Sequence, residues 1–280
     1  MNQTFSLNRW GLLAGKHWSE NRKKYVLSIV AIASLMILWY GFVIIINPES
    51  ALQKDMQSST YYVGLFIIGC IYASLLFTEL SDKPKGINYL TVPASHLEKL
   101  LCNLLFGVII FFVLYLLLFY AVTMPMLSLS NTVREMHWKE IYPDQSFKPE
   151  TITNVFVAEG ARKGANPFYY LQLGYIAVQA CFVLGSVYFT RFSFIKTVIS
   201  VLLVWLFFFL FMAKGLTSFM PQGNYYNGLT NWSIWDDGNT TNKVIMLPKW
   251  VDTTCSFLFK FGFAPVFWVA TYFRLKEKEI

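Results

Sequence analysis

The sequence predicts an all-α polytopic membrane protein. It has six transmembrane helices, a flat amphipathic helix ahead of the first and a short helix on the cytoplasmic face between the second and third. Three observations predict this. The chain of 280 residues is 55% hydrophobic and only 14% charged, against about 25% charged in a soluble domain. Its apolar residues gather in charge-free runs long enough to cross a bilayer, which takes about 20 residues. Its lysines and arginines concentrate in alternate loops, as the orientation rule for cytoplasmic loops requires. The length fits one helical membrane bundle over residues 1–280, with no room for a second large soluble domain.

The spans follow in order. Val26–Ile46, Tyr61–Thr78, Leu104–Met124 and Tyr169–Phe189 carry no charge. The fifth, Thr197–Ala213, lies between Lys196 and Lys214, whose long stems can snorkel to the interface. The sixth, Val251–Phe273, is interrupted by Asp252 and Lys260. With the N-terminus inside, the inner segments hold 13 Lys and Arg and the outer ones 9, spread over longer loops. Both termini are therefore expected in the cytoplasm, with the chain in the cytoplasmic (inner) membrane. The outer loops are 127–168 and 214–250. The second carries Phe219, Tyr225, Tyr226, Trp232, Trp235 and Trp250 between turn pairs. This fits an aromatic belt at the membrane surface, with a short re-entrant piece at 215–220.

The net charge of +7 in such a chain reflects basic inner loops rather than a nucleic-acid partner. The four cysteines lie in or beside apolar runs, so no disulfides are expected.

Three segments stand out. In residues 1–25, Leu7, Trp10, Ala14 and Trp18 share one helical face, with Arg9, Lys16 and Lys23 opposite. That pattern describes an interfacial helix on an anionic leaflet, and it equally describes an ordinary basic anchor. In the cytoplasmic loop 81–100, Ser95 and Glu98 form the Ser-x-x-Glu capping box. A helix is therefore expected to start at His96 and run into the third span, with Pro93 forcing an extended approach. Tyr89, Leu90 and Val92 are expected to be exposed, and exposed apolar groups of this kind suit a partner protein. The third is Lys260, a charge among phenylalanines: a functional group by default, or a lysine reaching for the outer interface.

Catalytic signatures are missing. Gly11 to His17 fails the Gly-x4-Gly-Lys-[Ser/Thr] pattern, and there is no His-Glu-x-x-His, Cys-x-x-Cys or Gly-x-Ser-x-Gly. The expectation is no catalytic residue, no metal site and no cofactor on this chain.

The stretch Leu90-Thr-Val-Pro-Ala-Ser-His-Leu-Glu-Lys-Leu100, with the opening Phe5-Ser-Leu-Asn-Arg-Trp-Gly-Leu-Leu13 and Glu20-Asn-Arg-Lys23, resembles the membrane subunit of a type-2 ATP-binding-cassette (ABC) exporter. The verbal likeness covers about residues 5–25 and 89–100, and Val92 stands where the family wording has Leu. The resemblance implies that Tyr89, Leu90, Pro93, Ala94, Ser95, His96, Leu97, Glu98 and Lys99 dock on an ABC ATPase subunit. It also implies that ATP and Mg sit on that partner, and that a second permease copy, identical or related, completes the path through the lipid bilayer. The same fold also suits a non-transporting scaffold or accessory subunit. An ion-coupled carrier fits least, because the spans hold almost no carboxylates.

Overall fold

The computed structural model describes residues 5–48, 50–81, 83–158, 166–211, 231–234, 243–246 and 248–277. They form helices α1 (Leu7–Ile46), α2 (Lys54–Leu75), α3 (Lys83–Thr91), α4 (His96–Leu104), α5 (Phe111–Ile141), α6 (Pro167–Tyr188), α7 (Ser193–Leu210), α8 (Lys249–Phe257) and α9 (Phe263–Lys276). A 3-10 turn, Thr78–Ser81, follows α2. Two π-helical segments, Leu105–Ile110 and Leu258–Gly262, join α4 to α5 and α8 to α9. Strands β1 (Asn231–Ile234) and β2 (Lys243–Met246) pair antiparallel, Asn231 opposite Met246. The 215–220 segment and the side chains of Phe219, Tyr225, Tyr226, Trp232 and Trp235 lie outside the described residues.

Five of these helical stretches are long and apolar enough to cross a membrane: Leu7–Ile46, Lys54–Leu75, His96–Ile141, Pro167–Tyr188 and Ser193–Leu210. The protein is thus a multi-pass helical bundle. The region expected as a sixth span is helical throughout Lys249–Lys276, but the π turn around Lys260 divides it. Residues 7–46 form one unbroken helix rather than a separate flat helix followed by a span. The sequence contains no proline over that stretch and no signal that would stop a helix near residue 25.

Side-chain pairings fix the helix directions. Tyr25 stacks over Phe106, and Tyr40 Oη lies 3.1 Å from Thr123 Oγ1, so α1 and α5 run parallel. Phe66 meets Tyr175 edge-on, and the Tyr62 hydroxyl donates to the Phe168 carbonyl at 3.2 Å, so α2 and α6 run parallel. Lys260 sits over Tyr170 and Arg274 over Tyr188, so α9 follows the same course as α6. The start of α1 and the end of α9 therefore lie at one end of the bundle, together with α3 and Ser95. This is the Ser95 end.

In lipid, helices gain little from hiding apolar surface against each other, so close packing and hydrogen bonds hold the bundle. Small residues let the helices approach: a methyl group on Gly107 would overlap Leu76, and one on Gly185 would overlap Thr197. One core cluster, with Tyr40, Tyr61, Leu65, Tyr115, Phe119 and Tyr175, fills the half away from Ser95. A second, with Ala73, Phe77, Leu100, Val183, Val187 and Leu275, fills the Ser95 half. Gln179, fully buried on α6, donates to the Gly107 carbonyl at 2.7 Å. That carbonyl lies in the π segment, where the change of register disturbs the regular backbone ladder.

The segment 127–168 begins as helix, since α5 continues to Ile141. The chain then returns as an extended strap across the far end. Gln57 holds it: its amide donates to the carbonyls of Leu52 and Thr151 at 2.8 and 3.3 Å and accepts from Thr153 N–H at 2.9 Å. Asn131 grips the backbone of Glu150 from both sides, at 2.9 and 3.0 Å. The Tyr62 hydroxyl donates to the Val155 carbonyl at 2.7 Å. Asn166 then caps α6, accepting from Phe168 N–H with Pro167 in the first turn.

Candidate functional site

The site is the Ser95 end, where the capping box is complete. Ser95 Oγ accepts from Glu98 N–H at 3.2 Å, and Glu98 Oε2 accepts from Ser95 N–H at 2.8 Å. Each partner satisfies a donor that a helix start would otherwise leave open. The helix begins at His96, as its sequence requires, and continues through the π segment and α5 to Ile141.

Glu98 does more than cap α4. Its second oxygen, Oε1, accepts from Ser6 N–H at 2.8 Å and from the Arg9 guanidinium at 3.0 Å. Ser6 is the residue just before α1. One carboxylate, 0% exposed, therefore binds the starts of two helices that are far apart in sequence. A buried carboxylate needs this many donors, because an unpaired one would be very costly. Nothing in the local sequence around Glu98 points to Arg9 or Ser6, since the contact is long-range.

Ahead of this junction, α3 spans Lys83–Thr91, and residues 92–95 form a tight bend in which Ala94 N–H reaches the Val92 carbonyl at 2.7 Å. The sequence predicts an extended approach ahead of His96. A helix forms instead over Lys83–Thr91, and only the bend around Pro93 is non-helical. Tyr89 is not the exposed group expected from the sequence. It stands edge-on to Phe77, accepts from the Asn103 amide at 3.1 Å and lies under Lys99 Nζ, 5.4 Å from the ring centre. Burial holds its hydroxyl well above the usual phenol range, so it stays a neutral packing group.

The expected docking residues divide accordingly. Pro93 and Leu97 are exposed; Ala94, Ser95 and His96 are half-buried; Glu98 and Lys99 are buried. The Leu90 side chain lies outside the described residues. Ile87, which the sequence reading did not single out, is 51% exposed and adds to the outward surface. The part that can touch another protein is thus Ile87, Pro93 and Leu97, backed by a rigid layer of Tyr89, Glu98 and Lys99. Beside it, a cavity of about 230 Å³ opens between α1, α3 and α4, lined by Lys16, His17, Glu79, Lys85, Tyr89 and Lys99.

The N-terminal stretch of α1 packs on this layer with a different face from the expected one. Leu7 and Trp18 are exposed, but Trp10 and Ala14 turn inward together with Leu13 and His17. His17 Nε2 and Tyr25 Oη lie 2.6 Å apart, and the His17 ring contacts Phe106. The sequence predicts an interfacial helix or a basic anchor; the N-terminal turns of α1 also pack against protein.

Lys260 stands in the second π turn, half-buried, with Nζ 5.2 Å from the ring centre of Tyr170. Tyr170 is three residues from the start of α6 at Pro167, about 5 Å along the axis. The ammonium is therefore level with the helix end far from Ser95, and the geometry is that of a lysine reaching for an interface under a cation–π contact.

The chain matches no protein-family profile, no curated protein and no solved structure.

Proposed function

We propose that this protein is the permease subunit of an ATP-driven ABC exporter, with ATP and Mg carried by a separate ATPase subunit docked at the Ser95 end. The observation that carries this reading is the Glu98 junction. A partner pressing on Pro93 and Leu97 meets no soft loop: the load passes through the Ser95 cap into α4 and, through Ser6 and Arg9, into α1. In this reading Lys249–Lys276 is the sixth span, both termini are cytoplasmic, and α1 passes from the cytoplasmic side into the inner leaflet as one continuous helix. The exposed Trp18 side chain meets that leaflet. A second permease copy completes the path. Of the described side chains of α7 only Thr197 is buried, which leaves Leu202, Trp205, Phe208 and Phe209 for that copy or for lipid.

The test is co-purification of the tagged full chain in mild detergent, followed by ATPase assay in proteoliposomes. A stoichiometric ATPase whose hydrolysis falls when Pro93 and Leu97 are both changed to Asp supports the reading. An isolated chain with no nucleotide-hydrolysing partner would falsify it.

A further inference from the structure

We infer that the groove between α1 and α2 holds a single anionic phospholipid, its phosphate at Arg22 and one acyl chain along the helices.

Both α1 and α2 rest on α5, but between the two helices a cleft stays open. At the Ser95 half its walls are Trp18, Tyr25 and Ile29 on α1 and Ile71 and Leu75 on α2, over a floor that includes Phe111; the space is about 250 Å³ and almost wholly apolar. A second apolar space of about 340 Å³ continues it past Ile68 and Tyr115 toward Trp39. From Arg22 to Ile32 the cleft advances roughly 15 Å along α1, about the depth of one leaflet.

The cleft is too narrow for a helix. Side chains bridge it at both ends: Tyr25 and Tyr72 have ring centres 6.3 Å apart, and Trp39 Nε1 donates to Thr60 Oγ1 at 3.2 Å. A helix with its side chains is about 10–12 Å across, whereas a hydrocarbon chain slides under such bridges.

The charge at the mouth selects the headgroup. Arg22 is exposed and shares the helical face of Trp18, Tyr25 and Ile29, at spacings of four, three and seven residues. Its planar guanidinium suits two phosphate oxygens at once. Lys16 and Lys23 stand on the opposite side of α1, so Arg22 is the basic residue beside Trp18 on this face. Trp18 lies where an indole meets the headgroup layer.

The experiment titrates the full chain in detergent with phosphatidylglycerol or phosphatidylcholine of identical acyl chains and counts adducts by native mass spectrometry. One phosphatidylglycerol is expected to be retained about five-fold more tightly than phosphatidylcholine, the preference that about one arginine contact confers. Arg22→Gln should erase the preference but not the binding. Ala31→Trp, which fills the cleft from α1, should remove retention of both lipids, and Ile71→Trp from the facing wall should repeat that result if the first variant folds poorly. Equal retention of both lipids, unchanged by these variants, overturns the inference in favour of ordinary annular lipid. A dimer mass that disappears with Ala31→Trp overturns it in favour of a second copy.

Discussion

Arg9 at the start of α1 and Glu98 at the start of α4 meet at 3.0 Å across 89 residues of sequence. The Glu98 side chain is fully buried while the Arg9 side chain remains 38% exposed, so the two ends of the pair are not equivalent. Glu98 depends on its donors, whereas Arg9 keeps part of its hydration.

That asymmetry sets an order of mutational cost. Glu98→Ala removes the acceptor for Ser6 and Ser95 together and is expected to destabilise by about 2–4 kcal/mol. Glu98→Gln keeps an acceptor oxygen, and Arg9→Gln leaves the backbone donors in place, so each should cost about 1 kcal/mol. Thermal unfolding in detergent checks the order, and a cost for Arg9→Gln above that of Glu98→Ala would contradict the junction.

If the Ser95 cap stiffens a docking surface, Ser95→Ala with Glu98→Ala should lower coupled ATPase activity more than it lowers membrane insertion. The measurement compares hydrolysis per inserted chain. Full coupling in the double variant removes the mechanical role of the cap.

At the centre of the bundle, Gly107→Ala should harm more than Gln179→Leu. The added methyl would strike Leu76, and overpacking of this kind costs about 1–3 kcal/mol. Loss of the Gln179 hydrogen bond should cost about 0.6 kcal/mol, as buried polar contacts in lipid do. Melting temperatures of the two variants give the comparison.

The strap over the far end predicts a protease result. Gln57→Leu removes three hydrogen bonds to residues 52, 151 and 153. Trypsin cleavage at Lys148 should then speed up by more than about ten-fold. With trypsin outside right-side-out vesicles, the same cut assigns the far end to the exterior; protection in those vesicles, with cutting only after lysis, reverses the orientation.

Lys260 should tolerate Met and resist Glu. Lys260→Met gives up a cation–π contact of about 0.5–1 kcal/mol, while Lys260→Glu sets a negative charge against the Tyr170 ring face. Expression level and thermal stability separate the two.

Much of the bundle was legible because span length and charge-free composition are local properties. The cap at Ser95 was legible for the same reason: its residues are three apart. The inner packing of Trp10 and Ala14 was not, because a face of alanine and aromatics suits lipid and protein equally well. The hold of Gln57 on Thr153 was hidden too, since a polar side chain near a helix start has many local uses. The helix over Lys83–Thr91 was obscured by Pro84 and Gly86, both poor helix formers in isolation; Pro84 stands in the first turn, where proline is tolerated, and Tyr89 anchors the remainder to Phe77 and Asn103.

The helix from His96 to Ile141 has 46 residues and measures roughly 70 Å. It overshoots the bilayer and carries Glu98 near one tip and Asn131 toward the other, so whatever tilts the first must swing the second, like an oar across its rowlock. The backbone ladder along its shaft changes register at the π turn Leu105–Ile110 and loses a donor at Pro125, and a stroke would be absorbed or passed on at those two places.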